Sequence, residues 1–167
     1  MDMRDFPPLA HLDDGQLADL LRASEPAVFA AGEALIEQGS ASGRLFLIVT
    51  GCVSVVIRRN GDTGELAKIE APAILGEVEL LTGNLPSASA MAVTQVEVRI
   101  LDDEDLRRRM KAGDPATLQL VASIAAALAH RLAAMNHRIA EMLKGTTQPR
   151  EADLEAFKAK VFGEWTF

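Results

Sequence analysis

Apolar and polar residues between positions 27 and 101 form short runs that are separated by glycine-containing turns. Short apolar segments with turn residues at this spacing are typical of an antiparallel β-sandwich or barrel. The predicted strands are residues 27–30, 35–37, 45–50, 52–59, 66–70, 87–93 and 96–101.

One segment of this β-rich region changes its period. Residues 74–83 begin like a strand, but Val78 and Leu81 then follow helical spacing, and Gly83 ends the pattern. Glycine is common directly after the last turn of a helix, because it adopts the left-handed conformation without strain. We therefore predict a short helix set among the strands at this point.

Helical patterns flank the strands on both sides. Asp13 or Asp14 can cap a short amphipathic helix before the first strand. Residues 102–109 open with acids and close with bases, which complements the helix dipole, so we interpret them as a second, solvated helix. Gly113 ends this helix and Pro115 can begin the next one.

The longest periodic pattern follows Pro115. Its apolar residues alternate steps of three and four, which is the a/d spacing of a coiled coil. A helix over residues 115–143 would be about 43 Å long, too long for a small β domain to cover alone. We predict a parallel homodimer through this helix; a helix folded back on its own domain is the alternative. The predicted interface residues are Leu118, Val121, Ala125, Leu128, Leu132, Met135, Ile139 and Met142.

These patterns predict an α+β protein with three regions. Residues 1–112 would form an antiparallel, jelly-roll-like β-roll with flanking helices, and residues 113–143 a long C-terminal dimerisation helix. Residues 144–167 would be a linker and a short amphipathic tail rich in aromatic residues. The tail is either a docking segment or a core patch.

The composition bears on the class of partner. The 167 residues are 49% hydrophobic and carry a net charge of −7, so the chain has no basic surface for nucleic acid. The N-terminus is acidic where a secretion signal is basic. The uncharged stretch at residues 118–129 is shorter than the roughly 20 residues of a membrane span. We expect a cytoplasmic protein that binds neither nucleic acid nor a membrane.

Motifs of enzymes and metal sites are missing from the sequence. Cys52, the single cysteine, lies in an apolar run, where a buried structural thiol is expected. Residues 39–43 resemble a nucleophile elbow, but Ala41 stands where that motif needs serine. His130 and His137 are about 10.5 Å apart along a helix, too far to share a metal. We expect no catalytic residue and no bound metal.

The order of the elements resembles the cyclic-nucleotide-binding domain family, the β-roll of catabolite activator proteins and protein kinase A regulatory subunits. The resemblance covers about residues 14–143 and depends on the order of several motifs rather than on any single one. These motifs are Gly32-Glu33-Ala34-Leu35-Ile36, Gly39-Ser40, the run from Leu45 to Val55, Ile74-Leu75-Gly76-Glu77 and Pro86-Ser87-Ala88-Ser89-Ala90, followed by two helices. The family's transcription factors continue with a helix-turn-helix, which we do not expect here.

The resemblance implies a ligand site formed by the short helix and the loop after it, the family's phosphate-binding cassette. Gly76 and Glu77 correspond to its Gly-Glu pair, whose carboxylate accepts a hydrogen bond from the ribose 2′-OH. Ser87 replaces the arginine that pairs with the cyclic phosphate, so a neutral donor stands in place of a charged, bidentate one. Asn136 matches the region that contacts the base, or else it sets the coiled-coil register. The candidate ligand-binding residues are Gly76, Glu77, Val78, Pro86, Ser87, Ala88, Ser89 and Asn136.

Several functions are compatible with this sequence. The resemblance implies a non-enzymatic, dimeric sensor or regulatory protein with a protein partner, whose binding of cyclic AMP or cyclic GMP is weak or altered. The alternatives are an interaction module that dimerises without a ligand and a receptor for another small molecule. We expect no resident cofactor, because a cyclic nucleotide would be a ligand.

Overall fold

In the computed structural model the described residues are 3–59 and 61–145, and they form eight strands and four α-helices. The strands are β1 (Glu25–Phe29), β2 (Ala34–Ile36), β3 (Arg44–Thr50), β4 (Cys52–Arg59), β5 (Asp62–Glu70), β6 (Ala73–Leu75), β7 (Ser89–Ala92) and β8 (Val96–Asp102). The helices are α1 (Asp14–Ala23), α2 (Glu77–Thr82), α3 (Asp103–Lys111) and α4 (Pro115–Gly145).

The strands pair into two four-stranded antiparallel sheets. One sheet has the order β1-β8-β3-β6 and the other β2-β7-β4-β5, so strands that are distant in sequence lie side by side, as in a jelly roll. This arrangement confirms the predicted β-roll. Apolar residues from both sheets form the core: Leu35, Ile36, Phe46, Ile48, Val53, Leu75, Ala90, Ala92, Val96 and Val98.

Two strands, β5 and β6, depart most from the sequence prediction, and most of the others differ by one or two residues at their ends. In particular, β7 begins at Ser89, so the predicted start of this strand at residue 87 is wrong. β5 begins at Asp62 instead of residue 66, because Arg59 pairs with Asp62 across the turn that contains Gly61, whose φ is 91°. The side chains of β5 are exposed as far as Lys68, so the alternating pattern of a half-buried strand is missing there. The sequence predicts that residues 74–83 begin like a strand and continue as a helix. Their start belongs to a strand, β6, which pairs with β3.

The α1 helix begins with a capping box at Asp13, one of the two predicted capping residues. The Asp13 carboxylate accepts a hydrogen bond from the Gln16 backbone N–H at 2.8 Å, and the Gln16 side chain accepts one from the Asp13 N–H at 3.1 Å. Gly83 ends α2, as predicted, and Gly76 precedes its first residue. α3 differs from the solvated helix that the sequence predicts, because its first residue, Asp103, is buried.

The chain divides into two compact units, Met1–Ile124 and Ala125–Phe167, and the division falls within α4. Thr117, Leu120 and Ile124 are buried, so the first turns of α4 contribute to the core of the first unit. The predicted boundary between residues 112 and 113 is a different one, because it separates the β-roll from the proposed dimerisation helix. That boundary stays a prediction.

The predicted dimer interface residues are different from the buried residues of α4, which are Thr117, Leu120 and Ile124. We call these predicted interface residues the dimer stripe. Leu118, Leu132 and Met135 are 44%, 48% and 54% exposed. The side chains of Ile139 and Met142 and the aromatic tail lie outside the described residues. The remaining stripe residues are partly buried or exposed: Val121, Ala125 and Leu128.

The apolar part of α4 is longer than residues 118–129, the uncharged stretch from which the sequence analysis predicts that no helix spans a membrane. Pro115–His137, with a mean hydropathy of 1.5, is long and apolar enough to cross a membrane by length and composition. Core helices of soluble proteins meet the same criterion, and here Thr117, Leu120 and Ile124 are buried within the protein. Length and composition therefore do not assign this helix to a membrane.

Candidate ligand-binding cavity

A cavity of about 290 Å³ lies where α2 and the segment after it face the second sheet. Its volume is at the lower end of the range of small-molecule sites, about 300–1,000 Å³. It brings together Gly76, Glu77 and Val78 with the 86–89 segment, which are seven of the eight candidate residues. The lining residues are Ile36, Val55, Leu75, Gly76, Glu77, Val78, Glu79, Asn84, Leu85, Pro86, Ser87, Ala88, Ser89 and Ala90.

Asn136 is the eighth candidate residue. It lies on α4 in the second compact unit, and its side chain is exposed. A role for Asn136 in ligand binding or in coiled-coil register stays a prediction.

Gly76 fixes the position of α2 at the edge of the cavity. Its φ is 91°, and a Cβ at this position would lie 2.3 Å from the backbone carbonyl oxygen of Arg44. Only glycine allows both the left-handed backbone and this close approach to β3. The glycine expected to let a ligand approach thus also has a structural role, which is to seat α2 against β3.

The two serines of the cassette have different environments. Ser89 is buried, and its Oγ accepts a hydrogen bond from the Gln38 backbone N–H at 3.0 Å. The Pro86 carbonyl accepts another from the Gly39 N–H at 2.8 Å. Ser87, between these anchors, is exposed. The segment is therefore held at both ends, and Ser87 is free to meet a ligand or solvent.

Glu79 is a site residue that the sequence analysis missed. Its buried carboxylate accepts hydrogen bonds from the Ser42 N–H at 3.0 Å, the Ser42 Oγ at 2.8 Å and the Gly43 N–H at 3.1 Å. Burial alone would raise the pKa of Glu79, but these hydrogen bonds and the Arg107 charge hold it below its ordinary value. Glu79 is therefore ionised at neutral pH.

Asp103 and Arg107 of α3 complete a cluster around Glu79, which we call the Glu79 cluster: Ser42, Gly43, Glu79, Asp103 and Arg107. The Asp103 backbone N–H donates to the Gly43 carbonyl at 2.9 Å, and Arg107 Nη2 donates to the Glu79 carbonyl at 3.0 Å. Burial and then the Glu79 charge raise the pKa of Asp103 to about 6. These contacts join α2 to α3 through the turn before β3.

The sequence carries one signal for this cluster. Glu79 is a second acid, two positions after Glu77, in the otherwise apolar stretch that forms β6 and α2. A buried carboxylate needs donors, and Ser42-Gly43 supplies backbone N–H groups and a hydroxyl. The pairing itself depends on tertiary structure, since 37 residues separate Ser42 from Glu79.

The cysteine and the two helical histidines considered in the sequence analysis differ in their exposure. Cys52 is partly buried rather than fully buried, because it is the first residue of β4. His130 and His137 are exposed, and His137 Nε2 lies 3.3 Å from Glu141 Oε1. Among the described residues, no group of three or more histidine, cysteine or carboxylate side chains could hold a metal ion.

Residues 26–112 match the family model of the cyclic nucleotide-binding domain, over more than half of the 167 residues. The chain belongs to this family. The predicted resemblance is thereby confirmed. The matched part of this cyclic nucleotide-binding domain contains the whole cavity and the Glu79 cluster and ends before α4 begins.

Three relatives show the settings in which similar domains occur. The cAMP-dependent protein kinase regulatory subunit of Blastocladiella emersonii is 30% identical over 59% of this chain and 27% of its own. Glutaminase 2 of Bradyrhizobium diazoefficiens is 28% identical over 78% of this chain and 20% of its own. The crystal structure of the Thermus thermophilus catabolite activator protein is 28% identical, with a TM-score of 0.68 over 81% of this chain and 62% of its own.

This domain thus spans about a quarter of the kinase regulatory subunit and a fifth of the glutaminase. The similarity supports the fold and the family, while most of the kinase regulatory subunit and most of the glutaminase have no counterpart in this chain.

Proposed function

We propose that this protein is a non-enzymatic, dimeric sensor or regulatory module in the cytoplasm, whose atypical cassette binds cyclic nucleotides weakly or in an altered way. The observation that carries the proposal is the composition of the cavity. The family's cassette elements surround it, yet none of its described lining residues is a lysine, arginine or histidine. The sequence contains no recognised catalytic motif, so we propose that the output is the binding of a protein partner to the ligand-bound or the ligand-free form.

The expected affinity for cyclic AMP depends on Ser87. It is exposed and lines the cavity at the position where the resemblance places the phosphate-pairing arginine. A hydrogen bond to a charged group contributes about 1.5–3 kcal/mol, and a neutral hydroxyl replaces only part of it. Cyclic AMP should therefore bind to this cassette more weakly, by a factor of about 10 to 100, than to a cassette that has the arginine.

The relatives support the regulatory part of the proposal. One is named as the regulatory subunit of a cAMP-dependent kinase and another as a catabolite activator protein. The enzyme Glutaminase 2 matches this chain over only a fifth of its length. Similar domains therefore occur in proteins with different outputs, which favours a sensing role over a catalytic one.

Calorimetric titration of the purified protein with cyclic AMP and cyclic GMP tests this function. We expect dissociation constants weaker than about 1 μM for the wild type. Ser87→Arg restores the cationic partner and should tighten cyclic AMP binding at least tenfold. Ser87→Gln is the control, because it adds a long polar side chain without the charge. Sub-micromolar binding by the wild type would contradict the proposal.

An interaction module without a ligand is the second candidate. Val78, Leu81 and Leu85 on the cassette are 52%, 36% and 58% exposed, and exposed apolar groups of this kind occur at protein interfaces. This candidate predicts that Ser87→Arg leaves cyclic nucleotide binding undetectable. The same titration therefore separates the two functions.

A further inference from the structure

The Gln38 side chain bridges the ends of two strands of the second sheet. Gln38 follows the last residue of β2, Ile36, by two positions. Its Oε1 accepts a hydrogen bond from the Arg58 backbone N–H on β4 at 2.8 Å, and its Nε2 donates one to the Arg58 carbonyl at 3.2 Å. The side-chain amide thus pairs with both backbone groups of Arg58, as the backbone of a neighbouring antiparallel strand would.

Arg58 is also the residue at which pairing between β4 and β7 would continue. The two strands are antiparallel, and their pairing ends with Val56 opposite Ser89. Two residues further along β4, Arg58 would lie opposite Ser87. Its backbone N–H and C=O would then bond to Ser87, but the Gln38 amide already occupies both.

The bridge crosses the path that a longer β7 would follow. β7 lies between β2 and β4 in the order of the sheet, and the Gln38 side chain reaches from the end of β2 to β4. Residues 87 and 88 do not belong to β7, which begins at Ser89, and both line the cavity. The bridge therefore lies where the chain passes from the cavity lining into the sheet.

The backbone next to the bridge fixes the ends of this segment separately. The Gln38 N–H donates to Ser89 Oγ at 3.0 Å, and the Gly39 N–H donates to the Pro86 carbonyl at 2.8 Å. Neither bond involves the Gln38 side chain. Replacing that side chain therefore removes the bridge to β4 and keeps both backbone anchors.

We propose that Gln38 is a positioning residue for the cavity: its amide takes the place of Ser87 on β4, ends β7 at Ser89, and so keeps Ser87 and Ala88 at the cavity. The consequence for binding rests on the proposed sensor function. A site whose lining is in place before the ligand arrives loses less conformational entropy on binding. Removal of the bridge should therefore weaken binding.

Gln38→Ala in the isotope-labelled full chain tests the position of the segment. Because the substitution releases the Arg58 backbone groups, Ser87 should pair with them. Nuclear magnetic resonance should then show a contact between the amide protons of Arg58 and Ser87 that the wild type lacks. Hydrogen exchange of the Ser87 amide should slow by at least about threefold. Exchange at the wild-type rate or faster, without that contact, would overturn the proposal.

Two further variants distinguish positioning from a general loss of stability. Gln38→Glu keeps the length of the side chain and an acceptor for the Arg58 N–H, so the Ser87 amide should exchange at the wild-type rate. Ser54→Ala removes another side-chain hydrogen bond of β4, from Ser54 Oγ to the Glu65 carboxylate at 2.7 Å, and should also leave this rate unchanged. Slowing in either control equal to that in Gln38→Ala would contradict the role of the Gln38 amide.

Calorimetry with cyclic AMP separates this role from the sensor function. Gln38→Ala added to Ser87→Arg should weaken cyclic AMP binding at least about tenfold relative to Ser87→Arg alone, whereas added Ser54→Ala should not. An unchanged affinity in the first double variant would overturn the role of Gln38 in binding. If Ser87→Arg binds no cyclic AMP, the sensor function is wrong, and the resonance measurements on Gln38→Ala then support or overturn the positioning role by themselves.

Discussion

Asp103 carries a buried carboxyl group whose charge is poorly compensated. Its Oδ1 has no hydrogen-bond partner among the described residues, and its exposed fraction is 6%. Burial is the main cause of its raised pKa, the Glu79 and Asp102 charges add to it, and Arg107 offsets part of it. The folded protein therefore holds a proton on Asp103 at a pH where an unfolded chain has already lost it.

This difference makes folding stability depend on pH. Between the ordinary pKa of 3.8 and the folded value of about 6, the folded state binds the proton and the unfolded state does not. The contribution of Asp103 to stability therefore falls as the pH rises through this window, and it stays unfavourable above it.

Asp103→Asn removes the charge at every pH. We expect the variant to be more stable than wild type at pH 7 by on the order of 1 kcal/mol, and the difference to shrink towards pH 4. Urea unfolding at both pH values measures it. Glu104→Gln, an exposed acid in the same helical turn, is the control and should show no such trend. A gain for Asp103→Asn that is equal at both pH values would contradict the mechanism.

The α2 helix is positioned by a glycine at each end, and the two glycines have different surroundings. Gly76 has φ 91° and faces the Arg44 carbonyl, whereas Gly83 has φ 71° and no atom within 4 Å of a Cβ built there. Backbone conformation alone disfavours other residues at Gly83. At Gly76 a steric conflict with β3 is added.

Gly76→Ala should therefore destabilise the fold by about 3 kcal/mol or more, since it combines backbone strain with a displaced strand. Gly83→Ala is the matched control and should cost about 1 kcal/mol. Chemical denaturation of both variants gives the comparison. Equal losses of unfolding free energy would mean that the contact with β3 does not constrain α2.

Local signals predict elements in this chain better than they predict contacts. The strands around Leu45 and Val53, and the helix before Gly83, follow from apolar runs and turn residues and are present as predicted. The first half of β5 has no apolar pattern, since it is exposed and held by pairing with β4. The Glu79 cluster joins residues distant in sequence, so a local pattern marks Glu79 as an acid in an apolar stretch but does not predict its partners.

At the scale of the whole molecule, α4 has two faces with different environments. Leu120 and Ile124 are buried, whereas Leu118, Leu132 and Met135 are about half exposed. Apolar side chains in register along one helix face are costly to leave in water. Pairing with a second copy would cover them, and the a/d spacing of the stripe suits a parallel coiled coil.

Leu128→Glu combined with Leu132→Glu should give a soluble monomer, because four like charges would meet in the predicted seam of a dimer. Light scattering measures the mass. Ala126→Glu with Ala133→Glu adds the same charge at exposed positions outside the stripe and should remain dimeric. If the leucine variant keeps the mass of a dimer, this interface is wrong.

The hairpin of β4 and β5 offers a place to attach a reporter. Its turn contains the exposed Gly61, and the side chains of Asp62 to Lys68 point into solvent, so an inserted segment would disturb little packing. On β4 the last residue, Arg59, is four residues from Val55, which lines the cavity. That separation is about 13 Å along the strand. A fluorescent protein inserted at this tip would lie outside the cavity yet on the strand that lines it, so its emission would be an optical readout for testing the proposed binding of a ligand in the cavity.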